Sequence, residues 1–273
     1  MIEQNNANLL ISSAQNPRVK LSVALRNRRD RDREQLFLIE GYRELLRAYD
    51  NHYPVQTLFI CPEIFIGNNE MALIGKFKNA GTEIIATTSI IMKKMTYRER
   101  PDGLLGIAPQ KHHSLNSLIL PANPLLLIAV AIEKPGNLGT ILRSADATGV
   151  HGVIICDHCT DLFNPNVVRA STGTLFTVPC IEASSVTTLN WLHTQDIRTL
   201  AATPHTELIY TDIEMTGGLA VVVGCEQVGL PDEWLNRANL RVRIPMLGKA
   251  DSLNVATATT ILLYEAARQR RFQ

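Results

Sequence analysis

The sequence lacks the segments that would carry it into a membrane or out of the cell. No apolar run approaches the roughly 18 to 20 residues that a helix needs to cross a bilayer. Residues 1–17 have neither the basic start nor the apolar stretch of a secretory signal. We therefore expect a cytoplasmic protein.

Cysteine is scarce, and its five positions follow no regular spacing. An odd number of irregularly spaced cysteines fits reduced thiols better than a disulfide framework. One CxxC runs from Cys156 to Cys159, but no second CxxC or histidine pair completes a zinc site. We expect no metal, and we interpret this CxxC as a strand end that runs into a loop.

The composition that remains is that of an ordinary globular protein. Hydrophobic residues make up 45% and charged residues 19% of the chain, which argues against extensive disorder. No G-x-G-x-x-G follows the first strand of the second half, which weakens a dinucleotide-binding interpretation. A length of 273 residues is comfortable for two domains. The polar stretch after Pro109 predicts domains at 1–110 and 121–273, joined by a linker at 111–120.

Apolar segments alternate with helix-like segments in both halves, a pattern typical of an α/β fold with mainly parallel strands. The continuous apolar run at 125–132 predicts a central strand that is covered on both faces. Strands are predicted at 36–39, 57–61, 83–86, 104–108, 125–132, 152–156, 177–181, 198–202, 220–224 and 240–244. Helices are predicted at 42–49, 74–79, 140–148, 165–171, 186–194 and 254–270.

Three polar segments that follow apolar strands point to one ligand site in the second half. They read NLGTILR at 137–143, GCEQVG at 224–229, and IPM at 244–246 followed by SLN at 252–254. Glycine at 224 and 229 lets the backbone approach a ligand or adopt a positive φ. The segments are far apart in sequence, so the site is predicted to assemble only in the folded chain.

In order and separation, these segments resemble the three motifs of the SpoU/TrmH-type RNA 2'-O-ribose methyltransferases, a branch of the SPOUT class. The resemblance implies a C-terminal SPOUT domain with a mainly parallel sheet and a trefoil knot. It also implies a smaller N-terminal α/β domain, similar to small ribosomal proteins, that binds the RNA substrate. S-adenosylmethionine as methyl donor and a homodimer through the C-terminal domain follow from the same resemblance.

The resemblance assigns the methyl donor to the loops near Ala202, Gly224, Ile244 and Leu253. Backbone groups there would hold a bent S-adenosylmethionine, and the apolar side chains of Ile244, Met246 and Leu253 would enclose its adenine. The alternative for Ile244 and Leu253 is that they are core residues at the ends of a strand and a helix.

Five residues are expected to be catalytic from the resemblance: Asn137, Arg143, Glu226, Ser252 and Asn254. Glu226 would position RNA or an active-site partner through charge-assisted hydrogen bonds, although a carboxylate after a strand is also a common solvated turn residue. Arg143 would align the ribose 2'-hydroxyl and a phosphate, or act as a base despite a guanidinium pKa above about 12. Ser252 and Asn254 also suit helix N-caps.

Basic residues crowd the window 18–33 and recur at 93–100. We interpret them as phosphate contacts of an RNA-binding domain, although a solvated helix face would have the same composition. The residues assigned to RNA are Arg18, Lys20, Arg26, Arg28, Arg29 and Arg98.

These observations predict an S-adenosylmethionine-dependent methyltransferase that modifies a ribose 2'-hydroxyl. The separate N-terminal module favours ribosomal RNA as substrate, with a transfer-RNA methyltransferase as the alternative. A non-catalytic RNA-binding ribosome-assembly factor is the alternative from another class. The joint presence of four residues speaks against it: Asn137, Arg143, Glu226 and Asn254. The target nucleotide is not encoded in the sequence, because structured RNA is recognised by shape and exposed loops.

Overall fold

The computed structural model describes residues 10–157 and 160–271, in which helices and strands alternate. The strands are β1 (Leu10–Ile11), β2 (Leu36–Glu40), β3 (Thr57–Ile60), β4 (Glu83–Thr87), β5 (Leu104–Pro109), β6 (Leu125–Val130), β7 (Gly152–Cys156), β8 (Cys180–Ala183), β9 (Arg198–Ala202), β10 (Leu219–Val223) and β11 (Leu240–Val242). The helices are α1 (Pro17–Ala24), α2 (Arg28–Glu34), α3 (Tyr42–Asp50), α4 (Glu70–Asn79), α5 (Ser89–Met95), α6 (Pro135–Thr148), α7 (Pro165–Ser171), α8 (Ser185–Thr194), α9 (Asp232–Arg237) and α10 (Val255–Arg271). The strand end predicted at Cys156 is confirmed, whereas Cys159 lies outside the described residues.

The chain folds into two compact units. The first contains the described residues up to Lys111 together with Phe163–Phe176, and the second contains His112–Leu162 and the chain from Thr177 onward. The second differs from the predicted domain 121–273, because α7 packs against β2 in the first unit. The rings of Phe163 and Phe37 lie 4.8 Å apart there, and this apolar contact explains the placement. Part of the predicted linker also packs inward, since Leu115 belongs to the core of the second unit.

A mixed sheet forms the first unit, with strand order β1-β4-β3-β5-β2. β1, β4 and β3 are parallel, but β5 runs antiparallel to both of its neighbours, β3 and β2. Four of its five strands, β1 to β4, therefore point the same way, as expected, and within this sheet β5 alone is reversed. Its buried core includes Phe59, Ile85 and Ile107.

The second unit contains a six-stranded sheet in the order β11-β9-β10-β6-β7-β8, and every neighbouring pair is parallel. All residues of β6 and β10 are buried, as expected for central strands covered on both faces. Because all six strands point the same way, their carboxyl ends lie along one edge. In sheets of this kind ligands bind at that edge, near the point where the strand order reverses.

Two helices of the second unit pack against each other through small polar side chains. The hydroxyls of Ser144 on α6 and Thr260 on α10 lie 2.6 Å apart. α6 begins with Pro135 and stops at Gly149, which adopts φ 72°, so the predicted stop is confirmed. The trefoil knot stays a prediction.

Several elements differ from the sequence pattern for identifiable reasons. α2 has no apolar periodicity, and it is stabilised by ion pairs such as Arg28 with Asp32 at 3.5 Å and by the buried side chain of Arg31. The strand predicted at 177–181 begins only at Cys180, because Pro179 has no N–H to donate to a ladder. The sequence pattern did not predict helices α1, α2, α5 and α9 or strand β1. Within the described ranges, no helix is both long and apolar enough to span a bilayer.

Candidate active site

A cavity of about 580 Å³ lies at the carboxyl edge of the sheet in the second unit. Its walls are the loops that follow β9, β10 and β11 together with the segment before α10. This volume lies within the roughly 300 to 1,000 Å³ that is usual for small-molecule sites. All five residues predicted to bind the cofactor line it: Ala202, Gly224, Ile244, Met246 and Leu253.

The loop after β10 is shaped by a close approach of its own backbone. A Cβ atom placed on Gly224 would overlap the carbonyl group of Gly229. Gly229 adopts φ 70°, a conformation that favours glycine, and its N–H donates to the carbonyl of Cys225 at 3.1 Å. Both glycines of the motif are therefore explained by the loop itself, which presents its backbone to the cavity.

Glu226 joins the three polar segments through its carboxylate. Its Oε1 accepts hydrogen bonds from Nδ2 of Asn137 at 2.7 Å and from Nδ2 of Asn254 at 2.5 Å. Its Oε2 accepts a hydrogen bond from Nζ of Lys134 at 2.5 Å. The two amides also meet, with Asn254 Nδ2 lying 3.2 Å from Asn137 Oδ1. The three segments, which were predicted to come together, therefore contact one another through hydrogen bonds to and between these side chains.

The surroundings of Glu226 favour its charged form. The hydrogen bond from the Lys134 ammonium lowers the pKa of the Glu226 carboxyl, and although partial burial opposes this, the Asn137 amide lowers the pKa further. In return, the Glu226 carboxylate raises the pKa of Lys134. The site therefore holds a carboxylate and an ammonium side by side at neutral pH.

Asn254 also caps the final helix. Its Oδ1 accepts the backbone N–H of Ala256 at 3.0 Å, and its carbonyl accepts the N–H of Ala258 at 2.9 Å. This is the N-cap arrangement that the sequence predicted. The same side chain thus fixes the start of α10 with its oxygen and holds Glu226 with its nitrogen. Ser252 is exposed and lines the cavity.

Arg143 lies apart from this cluster. It is exposed on α6 and does not belong to the cavity wall. In the described parts of the chain it has no ion pair or hydrogen-bond partner for its side chain. A single chain therefore brings together Asn137, Glu226 and Asn254, with Ser252 at the same cavity, but leaves Arg143 outside.

The cations predicted to contact RNA all lie in the first unit. Lys20, Arg28 and Arg29 are exposed, and Arg18 and Arg26 are partly buried. Arg98 differs from these five, because its guanidinium donates to the carboxylate of Glu44 at 2.8 Å and to the carbonyl of Glu40 at 3.0 Å. A buried carboxylate needs a counter-charge, and this requirement draws Arg98 inward.

The sequence did not single out several residues of the site. Lys134 was missed, although it lies in the loop that follows β6 and such loops border the carboxyl edge of the sheet. Thr203 and His205 follow β9 and line the same cavity, so the same rule would have found them. Leu230 and Leu235 complete the apolar wall, and no local pattern distinguishes them from ordinary core residues.

The ion pair at Glu226 predicts a pH-dependent stability. Because the folded-state pKa lies below the ordinary value of 4.5, the carboxylate stabilises the fold above about pH 4.5 and loses this contribution as the pH falls through the folded pKa. The free energy of unfolding at each pH is measured by urea unfolding, followed by the fluorescence of Trp191 and Trp234, both in the second unit. Glu226→Gln should unfold at lower urea than the wild type at neutral pH, and the difference should shrink in acid. A difference that is constant with pH would contradict this.

Comparison with known proteins identifies the family. The model of the SpoU rRNA Methylase family matches residues 124–264, and that of the MRM3-like substrate binding domain matches residues 16–106. The chain is 32% identical over 258 residues to a 23S rRNA (uridine(2479)-2'-O)-methyltransferase of Streptomyces viridochromogenes, covering 90% of this chain and 87% of that protein. It is 27% identical to the 23S rRNA (guanosine(2553)-2'-O)-methyltransferase RlmP of Bacillus subtilis, covering 93% and 97%.

A solved structure with bound AdoMet is also similar to this chain. The AdoMet-bound rRNA methyltransferase from Sinorhizobium meliloti aligns with a TM-score of 0.87 and 31% identity, covering 95% of this chain and 97% of that one. The similarity extends over both units and is not restricted to the three motifs. The chain belongs to the SpoU rRNA Methylase family.

Proposed function

We propose that this protein transfers a methyl group from S-adenosylmethionine to a ribose 2'-hydroxyl of ribosomal RNA. The observation that carries the proposal is the convergence of Asn137, Glu226 and Asn254 at the rim of an apolar cavity. The two similar curated proteins are named as 23S rRNA 2'-O-methyltransferases, which supports the choice of reaction. A non-catalytic assembly factor would not need this polar cluster beside a ligand-sized cavity.

Ribosomal RNA is favoured over transfer RNA by the first unit. Residues 16–106 match a substrate-binding domain. The two relatives named for ribosomal RNA align with 90% and 93% of this chain. We place the reaction in the cytoplasm, where ribosomal RNA of bacteria is found. The buried thiols of Cys61, Cys156 and Cys180, which form no disulfide, agree with a reducing compartment.

The volume and the lining of the cavity suit S-adenosylmethionine. Gly224 borders the cavity, and the partly buried Ile244, Met246 and Leu253 offer apolar surface for an adenine ring. When bound, S-adenosylmethionine supplies a sulfonium methyl group that is already activated for transfer. The protein therefore has to position the ribose oxygen and does not have to form a covalent bond itself.

The polar cluster orders the site for this positioning task. Glu226 holds the amides of Asn137 and Asn254 in fixed directions, so the segment before α10 and the start of α6 cannot move independently. Ser252 borders the cavity on the same segment and offers a hydroxyl for a hydrogen bond. A site prearranged in this manner avoids the entropy loss of ordering loops when substrate binds.

Arg143 enters the proposal through a homodimer. It is exposed on α6, and Tyr264 is 52% exposed on α10, which packs against α6. An exposed aromatic and an unpaired arginine on two helices that pack together favour a self-complementary contact between two copies of this surface. In such a dimer, Arg143 of one protomer would align the ribose and phosphate at the cavity of the other.

The cofactor assignment predicts different effects for two glycine substitutions. Gly224→Ala should weaken S-adenosylmethionine binding at least about tenfold, because the new Cβ overlaps the Gly229 backbone and displaces the loop. Gly248→Ala is the matched control, since its Cβ would meet no atom within 4 Å. Isothermal titration calorimetry measures both. Equal binding by the wild type and Gly224→Ala would remove this loop from the cofactor site.

The reaction is tested by mapping ribose methylation in total RNA from cells with and without the gene. One ribosomal-RNA position should lose its methyl group in the deletion, and the wild-type gene should restore it. Arg143→Ala should restore less than about one-tenth of it, because the ribose is no longer aligned. Unchanged methylation maps in the deletion would contradict the proposed reaction. Loss of a methyl group from a transfer RNA would support the alternative substrate. Full restoration by Arg143→Ala would show that Arg143 has no role in the reaction.

The dimer is tested by mixing two inactive variants. Coexpressed Arg143→Ala and Gly224→Ala chains should form heterodimers in which one site has both an intact cavity and an arginine. With random pairing, about half of the dimers are mixed and one of their two sites is complete, so activity should return to about a quarter of the wild-type value. Each variant expressed alone is the control. No recovery despite confirmed mixed dimers would show that each chain builds its site alone.

A further inference from the structure

An aromatic side chain stands exposed among basic residues on the first unit. Tyr97 is 43% exposed, and the guanidinium carbon of Arg26 lies 5.6 Å from the centroid of its ring. Arg26 is itself held in place, because its Nη1 donates to the carbonyl of Lys94 at 3.3 Å. A fixed cation therefore lies over the Tyr97 ring, and a large part of the ring still faces solvent.

The hydroxyl end of the ring is also held. Nδ2 of Asn166 donates to the Tyr97 hydroxyl at 3.2 Å, and Oδ1 of Asn166 accepts from the exposed Arg169 at 3.0 Å. Both residues lie on α7, which belongs to the same unit. The tyrosine is thus fixed at two points and has a second arginine beside its polar end.

Buried charges fix the backbone on which Tyr97 is carried. The carboxylate of Glu40 accepts the N–H groups of Tyr97 and Arg98, each at 2.9 Å. Arg98 returns two hydrogen bonds, to the carbonyl of Glu40 and to the carboxylate of Glu44. Burial raises the pKa of Glu44, while the Arg98 guanidinium opposes that shift. Buried ion pairs are a costly form of stabilisation, so this network is better explained by the precise position it gives to the segment.

The charges around the ring suit a polyanion. Arg26, Lys93, Lys94, Arg100 and Arg169 are the basic residues near Tyr97 in sequence or through its contacts, and Glu99 is the acidic residue within the segment 93–100. Proteins that bind unpaired RNA combine basic residues for the backbone with exposed aromatic rings on which bases stack. A fixed, partly exposed ring with one cation over its face and another near its hydroxyl end has this composition.

We propose that Tyr97 is a stacking surface for an unpaired nucleobase of the RNA substrate, with Arg26 and Arg169 beside it and Arg98 as the positioning residue behind it. This inference rests on the proposed function and deepens it, because it identifies an unpaired nucleotide as part of what the first unit recognises. It also gives Arg98 a role in RNA binding that acts through Tyr97.

The test is the affinity of the full chain for 23S ribosomal RNA from cells that lack the gene, measured by filter binding without the methyl donor. Tyr97→Ala should weaken binding about 5- to 150-fold, the range for loss of one base–aromatic stack. Tyr97→Phe and Tyr97→Trp, which keep the ring, should stay within about threefold of the wild type. Ile66→Ala is the control, because Ile66 is 78% exposed in the same unit and should not affect binding.

Salt dependence separates stacking from charge. The slope of log affinity against log salt should be unchanged in Tyr97→Ala, whereas Arg26→Gln should reduce its magnitude by about 0.7 to 0.9 if Arg26 contacts a phosphate. Arg98→Gln should weaken binding only as far as Tyr97→Ala does, and the double variant should be no weaker, because both changes remove the same stack.

Two results would overturn the proposal. The first is wild-type affinity in Tyr97→Ala, and the second is an equal loss in Tyr97→Phe, which would assign the contact to the hydroxyl. If Tyr97→Ala lowers the unfolding midpoint, Tyr97→Leu replaces it, since leucine keeps apolar volume without an aromatic face. The binding experiment does not depend on methyl transfer. Unchanged ribose-methylation maps would therefore contradict the proposed reaction, and the role of Tyr97 would still be decided by the binding experiment.

Discussion

The carboxylate of Glu226 is the interaction on which the site of the second unit depends. Lys134, Asn137 and Asn254 come from two segments far from Glu226 in sequence, and all three donate to this one group. Hydrogen bonds to a charged acceptor are stronger than bonds between neutral groups. The three loops therefore hold their positions together, and the loss of one contact weakens the others. This coupling explains why a polar cluster of four side chains can order a cavity whose walls are mainly loops.

The parallel sheet provides the frame that brings these loops together. β6 and β10 are fully buried and adjacent, so the segments that follow them leave the sheet side by side. The segment after β6 contributes Lys134 and Asn137, and the segment after β10 contributes Gly224 and Glu226. A rigid apolar interior thus fixes the starting points of the loops, and the hydrogen bonds at Glu226 fix their ends. The proposed methyl transfer needs little more than this, because its chemistry depends mostly on orientation.

In the first unit, too, carboxylates hold a loop segment in place through hydrogen bonds. Glu40 and Glu44 are buried carboxylates that hold a segment by its backbone N–H groups and by Arg98. In both units an acidic side chain that composition alone would place in solvent instead joins separate pieces of chain. The basic residues of the first unit then divide into two groups. Some, such as Lys20 and Arg29, remain in water, whereas Arg98 is required inside by the carboxylates.

The sequence was sufficient to predict the strands of the second sheet and several candidate residues of the site. Short continuous apolar runs between turn residues are typical of buried strands. Glycine and glutamate after such a strand, and asparagine before a helix, commonly form turns, caps and ligand contacts, so Gly224, Glu226 and Asn254 could be found by position. Other features of the fold depend on tertiary contacts and have no local sequence pattern. Tertiary structure reversed the direction of β5, placed 163–176 with the first unit, turned Arg98 inward and paired Lys134 with Glu226. Each of these depends on contacts between residues many positions apart, and the free energy of such contacts exists only once the chain has folded.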